Sequence, residues 1–344
     1  MAKFSRLLFT TSVVAAVMTA APARAESVAE FYKDKTLRIV IGTSMGGSYG
    51  VYGQLVARHL GKFLPGSPTV IVQSMPGAGG LVALNYLAQK APRDGTTLSV
   101  IHVTLVQEGM FNPRAQYDAA EFQWIGRLAS ITFLGVASKK SGIKTLEDAR
   151  KREVIVGAPG ANNVPAQSPV VVNKIAGTKF KVITGYKGMG EVFIALERGE
   201  VEFAVPTEAT LAAFHQDLLK KGELVPIFAQ AGQRLKNHPN VPILLEFGKT
   251  EVEKAFLGIF TLTAEIGRSL ATTPGVPKDR LEALRAGFEK MIVDPEFKAD
   301  LAKTRVALDP KSGAEMQKLV LDAMTMSKET KEQAREFYNE LFKK

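Results

Sequence analysis

The sequence predicts an α/β protein built from two similar lobes, and two observations lead to this prediction. Apolar segments of strand length alternate with amphipathic helical segments over residues 36–104, and the alternation starts again after residue 130. Several strand-like segments run directly into glycine-rich loops, as in "IVIGTSMGG" and "VIVGAPG". This alternation is typical of a mostly parallel sheet covered by helices.

The first lobe is predicted from three strands, which lie in "TLRIVIG", "PGSPTVIVQSM" and "TTLSVIHV". The helix after the first loop places one apolar face at Tyr52, Leu55, Val56, His59, Leu60 and Phe63. Ligands bind beyond the carboxyl ends of parallel strands. We therefore expect the loops "TSMGGSY", "MPGAGG" and "HVTL" to lie on one rim.

The second lobe repeats the pattern, with strands in "ITFLGVASKK", "EVIVGAPG", "KFKVITG" and "VEFAVP". Two long amphipathic helices end the chain, and Pro277 just inside the first is a helix-start signal. Two lobes with facing glycine loops predict a ligand in the cleft between them. The predicted division is a signal peptide at 1–25, a first lobe at 26–133 with 229–344, and a second lobe at 134–228.

The first residues predict export. Lys3 and Arg6 precede an apolar stretch at 7–21, and "APARAES" offers a cleavage site before Glu26, as in a secretory signal peptide. The stretch is too short for a comfortable bilayer span of ~20 residues. The chain has no cysteine, which excludes disulfides, thiolate metal sites and a lipid-modified N-terminus. We expect a periplasmic protein that is not lipid-anchored.

The net charge of +10 falls to +7 when three basic residues leave with the signal peptide. Nucleic-acid binding usually shows basic residues clustered and interleaved with aromatic ones. Here the lysines and arginines are dispersed through the helical segments, so we expect solvated faces and no nucleic-acid partner.

The stretch "GTSMG" raises the alternative of a secreted serine hydrolase, because G-x-S-x-G is the nucleophile-elbow pattern and would make Ser44 the nucleophile. An elbow needs oxyanion donors from an upstream strand and loop, and none precedes this strand in the mature chain. The acids and histidines that follow form no recognisable triad. The phosphate-loop pattern also fails, since Ser48 and Tyr49 occupy the places of the required Lys and Ser/Thr.

The loop is better interpreted as an anion pocket of backbone N–H groups at a helix N-terminus. No Asp or Glu occurs between Asp34 and Asp94, so neutral or basic residues alone flank the two glycine loops. The same absence removes carboxylate metal ligands, and the four histidines are scattered. We therefore expect no metal, no cofactor and no catalysis. The structural alternative is that the glycines serve only turns and helix–sheet packing.

From about Phe31 to the final helices, the sequence resembles the substrate-binding receptors of tripartite tricarboxylate transporters, the Bug or TctC family. The resemblance rests on "PGAGG" with its spacing to the first loop and to "APRDGTTL", and on "TGYKGMGEVFIALERGEVEF" in the second lobe. It implies a periplasmic receptor with two hinged lobes, of the type II-like periplasmic-binding-protein architecture. It also implies a small carboxylate ligand in the interdomain cleft and a two-component inner-membrane permease as partner. We expect a monomer.

Carried onto this chain, the resemblance implies ligand contacts from both lobes, mainly through backbone amides, hydroxyls and bridging waters. The first-lobe residues are Thr43, Ser44, Met45, Gly46, Gly47, Ser48, Tyr49, Pro76, Gly77, Ala78, Gly79, His102, Val103 and Thr104. The second-lobe residues are Pro159, Gly160, Ala161, Asn162, Asn163, Tyr186, Thr207 and Glu208.

The first loop departs from the family pattern at two positions. Met45 stands where the family usually has proline, and Gly50 takes the place of an aspartate that can hold a ligand ammonium. These departures favour a ligand without a positive group, and Met45 with Tyr49 suits an aromatic or alkyl acid. The alternative is that Ser48 takes over a capping role of the aspartate.

Three side chains keep two interpretations each. His102 is either a carboxylate donor or a satisfied buried histidine, and Asn162 with Asn163 supplies either cleft donors or turn residues. Trp124, the only tryptophan, is expected in the core rather than at the ligand.

Overall fold

The computed structural model describes residues 26–161, 163–304 and 306–342. The strands of this part of the chain are β1 Thr36–Ile41, β2 Thr69–Ser74, β3 Thr97–Val100, β4 Gln123–Ala129, β5 Phe133–Ser138, β6 Val154–Ala158, β7 Phe180–Thr184, β8 Phe203–Ala204, β9 Leu224–Gln230, β10 Arg268–Thr272 and β11 Lys311–Ser312.

The α-helices are α1 Val28–Tyr32, α2 Ser48–His59, α3 Leu81–Gln89, α4 Leu105–Phe111, α5 Leu146–Lys151, α6 Val164–Ala176, α7 Met189–Arg198, α8 Glu208–Phe214, α9 Gln216–Lys220, α10 Glu251–Ile266, α11 Lys278–Val293, α12 Pro295–Thr304, α13 Gly313–Met324 and α14 Lys328–Phe342. Within the described residues, none of these helices has both the length and the apolar character needed to cross a membrane.

The strands form two sheets, in the orders β11-β4-β10-β3-β1-β2 and β7-β6-β8-β5-β9. β1 pairs in parallel with both β2 and β3, and β6 with both β7 and β8. Antiparallel strands complete both sheets, β10 between β3 and β4 in the first and β5 between β8 and β9 in the second. Each sheet is therefore mixed, with its parallel strands together on one side.

The chain passes between the sheets at two adjacent places. Residues 130–132 join β4 to β5, and α10 leads back to β10, with the backbone N–H of Ile131 donating a 2.9 Å hydrogen bond to the carbonyl oxygen of Ala264. Gly267 sits at this junction with a φ of 50°. A Cβ there would overlap the carbonyl oxygen of Ala129, so the two passages touch only because this residue is glycine.

The predicted boundary at residue 229 falls inside β9. Ala229 donates a hydrogen bond to the carbonyl of Pro242, which places the segment after β9 against the second sheet. α10 packs on α4, α13 and α14 of the first lobe and also on residues 244–247 of that segment. We infer that the second lobe extends to about residue 250 and that α10 begins the return.

Trp124 lies in β4 and is fully buried, so its expected place in the core is borne out by its burial. Every residue of β4 and β10 except the first of each strand is buried, because both strands lie between two others in the sheet.

Candidate functional site

The loops after β1 and β2 pack against each other at one edge of the first sheet. Ser74 Oγ donates a 2.8 Å hydrogen bond to the carbonyl oxygen of Thr43. A Cβ atom added at Gly42 would lie 2.9 Å from the Cα of Gly80, so only glycine permits this approach. The two glycine-rich loops therefore form one continuous surface.

The loop after β3 joins this surface through an aromatic stack. The rings of Tyr49 and His102 are stacked, with centroids 5.2 Å apart and planes inclined by 10°. The Tyr49 hydroxyl accepts a 3.1 Å hydrogen bond from the backbone N–H of Val103. A Cβ at Gly80 would lie 2.7 Å from Cγ of His102, so the second loop also contacts the imidazole.

Arg268, the first residue of β10, lies over the same stack. Its guanidinium carbon is 3.9 Å from the centroid of the Tyr49 ring. Its Nη2 and Nε donate hydrogen bonds of 2.6 and 3.2 Å to Ser48 Oγ. Because β10 runs antiparallel to β3, it begins at the edge where β3 ends, and this places the cation among the three loops.

His102 is neutral near pH 7. Burial, and then the positive charge of Arg268, lowers the pKa of His102 to about 4. Its Nδ1 lies 2.8 Å from Thr104 Oγ1 and 3.5 Å from the backbone N of Thr104, which can only donate. Nδ1 is thus the acceptor, and the proton of the neutral ring resides on Nε2.

The N-terminus of α2 makes this edge more positive. Its N-cap, Gly47, supplies no side-chain hydrogen bond, and the first turn holds no acidic residue. Arg268 bonds to Ser48, the first helical residue, and so adds a full charge to the partial positive charge of the helix end. Among the described residues, no carboxylate oxygen lies within 4.0 Å of the Arg268 guanidinium. The edge fits an anion.

A cavity of about 1240 Å³ opens beside this edge and is lined by residues of both lobes. Ser48, Tyr52 and Arg268 line it from the first lobe, and Thr207 with Glu208 lines it from the second. The rest of the lining comes from the passages between the sheets, the segment after β9, and residues 306–323. Of the predicted site residues, Ser48, Thr207 and Glu208 reach the cavity.

The other predicted site residues that the structure describes are not part of the cavity lining. They are Thr43, Ser44, Met45, Gly46, Gly47, Tyr49, Pro76, Gly77, Ala78, Gly79, His102, Val103, Thr104, Pro159, Gly160, Ala161, Asn163 and Tyr186. Met45 lines a separate groove of about 410 Å³ with residues of β2. Asn162 lies outside the described residues.

Gly50, which departs from the family pattern, is explained by the loop geometry. A Cβ at this position would overlap the backbone carbonyl of Met45. An aspartate therefore cannot stand here unless the loop moves, and the chain has no carboxylate in the first turn of α2.

The loops at the edge of the second sheet are held mainly by helix caps. Asn163 Oδ1 accepts a 3.3 Å hydrogen bond from Ala166 N at the start of α6. Thr207 Oγ1 accepts a 3.1 Å bond from Thr210 N at the start of α8. Glu208 accepts a 3.3 Å bond from Asn237 Nδ2, and both residues line the cavity.

A buried ion-pair network lies at the end of the cavity next to the passages. Arg127 is 3% exposed, and its two terminal nitrogens each lie 2.7 Å from a carboxylate oxygen, of Glu265 and of Asp309. The other oxygen of Glu265 accepts a 3.2 Å bond from the backbone of Gly232, beyond β9. The network therefore joins β4, α10 and the segment after β9.

The hydrolase alternative receives no support from the geometry. In the described part of the chain, no hydrogen bond joins Ser44 Oγ to a histidine or a carboxylate, and Ser44 bonds only through its carbonyl oxygen. A triad needs both partners within hydrogen-bond reach of each other.

One group of possible metal ligands, His59, Asp294 and Glu296, lies within 4.8 Å. Lys62 Nζ already donates bonds of 3.1 and 2.7 Å to Asp294 and Glu296. A lysine ammonium therefore takes the place that a cation would need.

Arg268 and Arg127 are the site residues that the sequence does not reveal. Each is a single arginine in a central strand without a flanking motif, and their strands were not predicted. A basic residue inside an apolar run, as in "WIGRLA", is the one signal that could have pointed to a buried ion pair.

The chain is similar to known proteins along most of its length. The sequence model described as tripartite tricarboxylate transporter family receptor, TctC, matches residues 54–334. A Cupriavidus necator protein named "UPF0065 protein in gbd 5'region" is 27% identical over 293 residues, which cover 83% of each chain.

Solved structures share the fold. A TctC solute-binding protein from Polaromonas, solved without ligand, matches with a TM-score of 0.69 and 19% identity over 90% of this chain and 100% of its own. A Rhodopseudomonas palustris protein solved with adipate matches with a TM-score of 0.56 and 17% identity, over 87% of this chain and 97% of its own. These matches confirm the predicted two-lobed α/β architecture.

Proposed function

Because the chain belongs to the tripartite tricarboxylate transporter receptor family, we propose that it captures a small carboxylate in the cleft between its lobes and delivers it to a two-component membrane permease. The observation that carries this proposal is the positive edge of the first lobe. There the N-terminus of α2 and the Arg268 guanidinium meet beside a cavity of about 1240 Å³, with no acidic residue in the first turn of the helix. Such an edge binds anions.

The hydrogen-bond donors of the edge and the ligand of one relative both indicate the ligand class. A fixed cation, helix-end N–H groups and hydroxyls suit a carboxylate, which accepts several charge-assisted hydrogen bonds at once. The Rhodopseudomonas palustris relative carries adipate, a dicarboxylate. The absence of an aspartate at Gly50 favours acids over amino acids.

Capture involves closure of the two lobes. The passages between the sheets lie next to each other at Ala129 and Gly267, and their narrowness suits a hinge. A ligand bonded from both rims stabilises the closed form by its differential affinity for that form. The closed form, in which both rims are occupied, is then the one that the permease recognises.

The place of action follows from the first 25 residues, which lie outside the described residues. Their charge pattern and the site before Glu26 support export to the periplasm with cleavage of the signal peptide. The receptor then works there as a monomer, without cofactor or metal and without a catalytic step.

The test expresses the full chain in a Gram-negative host, purifies the periplasmic protein and sequences its N-terminus. The protein is unfolded and refolded to remove carried-over ligand, and its melting temperature is measured with adipate, malate, citrate, benzoate, glutamate, glucose and ATP. A ligand at 100 times its Kd adds ~2.7 kcal/mol to the free energy of unfolding, which shifts the melting temperature by several degrees. A shift confined to carboxylates supports the proposal. A shift with glucose or ATP alone, or none with any acid, refutes it.

A further inference from the structure

We propose that Arg268 binds a carboxylate group of the ligand directly and end-on, and so decides which acids this receptor accepts. The inference rests on the proposed function and adds to it the group that pairs with the ligand's charge. A receptor that uses helix ends and hydroxyls alone accepts neutral oxygen-rich ligands as well. A guanidinium selects for a carboxylate, because it carries a full positive charge and presents its N–H donors in one plane.

The geometry of Arg268 leaves donors available for this role. A guanidinium carries five N–H groups. One on Nε and one on Nη2 donate to Ser48 Oγ, and one on Nη1 donates to the carbonyl of Gly267 at 3.2 Å. Each terminal nitrogen therefore keeps one N–H without a partner among the described residues. Two such N–H groups side by side match the two oxygens of a carboxylate.

The position of the guanidinium is fixed before any ligand arrives. Its flat face lies 3.9 Å from the centroid of the Tyr49 ring, and Tyr49 is itself held by Val103 and stacked on His102. The bonds to Ser48 and Gly267 hold the group and leave one N–H on each terminal nitrogen for an end-on ligand. A fixed donor pair loses less conformational entropy on binding than a mobile side chain does.

Arg268 differs from most other cations of the cavity lining because no carboxylate pairs with it in the described part of the chain. Arg127, Arg234 and Lys311 also line the cavity, and each lies within 4.0 Å of a carboxylate oxygen, of Glu265 for Arg127 and Lys311 and of Glu246 for Arg234. Lys236 is exposed to solvent. Arg268 is the half-buried cation of the lining whose guanidinium has no carboxylate within 4.0 Å in the described part of the chain.

The positive charge of Arg268 also lies next to a positive helix end, which is electrostatically unfavourable in the ligand-free protein. Arg268 bonds to the first residue of α2, where the helix dipole repels a positive charge. Its charge further lowers the pKa of His102, so the neighbouring side chain stays neutral instead of adding a second charge. An arriving carboxylate removes both the unpaired charge and the conflict with the helix end.

The experiment measures binding by calorimetry to the periplasmic protein and to R268Q, R268K and R198Q. The probes are adipate, malate, benzoate and adipamide, in which both carboxylates of adipate are replaced by neutral amides. For the acid that binds the wild type best, R268Q weakens binding about 30-fold or more, because a charged hydrogen-bond pair is lost. R268K, which keeps the charge but not the paired donors, falls between. R198Q binds as the wild type does, since the Arg198 side chain is 68% exposed, lies 3.7 Å from Glu200 and is not part of the cavity lining.

The neutral probe separates anchoring from a structural effect. In the wild type, adipate binds far more tightly than adipamide if Arg268 pairs with its charge. In R268Q that preference collapses, whereas a merely distorted cleft weakens both probes in parallel. Melting temperatures of the ligand-free variants show whether each one folds. If R268Q does not fold, the adipate and adipamide affinities of R268K are compared with those of the wild type instead.

Equal affinity of R268Q and the wild type for the same acid overturns this inference and leaves the proposed function standing. A parallel loss of adipate and adipamide binding overturns it as well. Failure of the wild type to bind any of the acids overturns the proposed function, and this inference with it.

Discussion

Ser168 Oγ donates a 2.6 Å hydrogen bond to Oε1 of Gln230, and both side chains are fully buried. Nε2 of the same glutamine donates bonds of 3.0 Å to the carbonyl of Phe260 and to Thr263 Oγ1 in α10. The last residue of β9 thus joins α6 of the second lobe to the helix that returns to the first. This side chain therefore holds α6, β9 and α10 together.

Replacing Gln230 by Leu should destabilise the protein by about 3 kcal/mol. The change leaves the Ser168 hydroxyl buried without its acceptor, which costs about 1–3 kcal/mol. It also removes both bonds from Nε2 to α10, although the Phe260 carbonyl keeps a 2.8 Å bond from Thr263 Oγ1. Urea unfolding followed by circular dichroism measures the effect. Q333L, at an exposed position of α14, is the matched control and should change the free energy of unfolding by less than about 0.5 kcal/mol. Equal stability of the two variants would show that Gln230 is not part of a satisfied network.

Arg127→Met should destabilise the protein by about 2–3 kcal/mol. The guanidinium is 3% exposed, and its loss leaves the carboxylate of Glu265, whose side chain is 17% exposed, without its main partner. The second partner, Asp309, is 56% exposed and recovers water, which limits the cost.

R234Q is the control for Arg127, because it breaks a surface pair with Glu246 and should cost less than about 1 kcal/mol. Denaturant midpoints at low and high salt measure both. A loss for R127M no larger than for R234Q would contradict the assignment of a buried network.

The sequence marks the parallel strands and β5, but it does not mark β4 and β10, the antiparallel strands of the first sheet. β1 and β2 could be predicted because each is an apolar run that leads into a glycine-rich loop, and β3 because it is an apolar run that follows the turn "RDG". The loops after the three strands meet as expected. β10 was missed because "RSLAT" is short and lies between a long helix and a proline-rich turn, so local pattern alone does not mark it. Its pairing between β3 and β4 is a long-range contact, which no local periodicity encodes.

Some residues of the candidate site could be predicted before the structure was known, and others could not. Ser48 was a candidate from its glycine-rich loop, and Thr207 and Glu208 were implied by the family resemblance; all three line the cavity. Arg268 could not, because its role depends on β10 entering the sheet at the edge where β3 ends. Met45, expected at the ligand, lines a groove beside β2, because the backbone of the first loop turns back onto Gly50.

Gly267→Ala should destabilise the protein by several kcal/mol. The residue combines a φ of 50° with a position where a Cβ overlaps the carbonyl of Ala129, so the alanine must shift the passage between the sheets. Gly258→Ala is the control, because a Cβ there meets nothing within 4 Å, and alanine in α10 should stabilise the helix by about 0.5–1 kcal/mol. Thermal unfolding compares them. A G267A protein as stable as the wild type would show that the two passages are not held in contact.

The stability of the protein should fall as the pH is lowered from about 6.5 to about 4, in part through His102. The pKa of His102 is lowered to about 4 in the folded protein by burial and by Arg268, whereas an unfolded histidine titrates near 6.5. Between these values the unfolded state binds the proton and the folded state does not, so the free energy of unfolding decreases as the pH falls. The full difference amounts to about 3 kcal/mol. H102Q, whose amide is neutral throughout, should flatten this part of the stability profile measured by urea titration between pH 4 and 7. H238Q, which lies away from the stack, should leave the slope unchanged. A slope that H102Q does not alter would show that folding does not lower the pKa of His102.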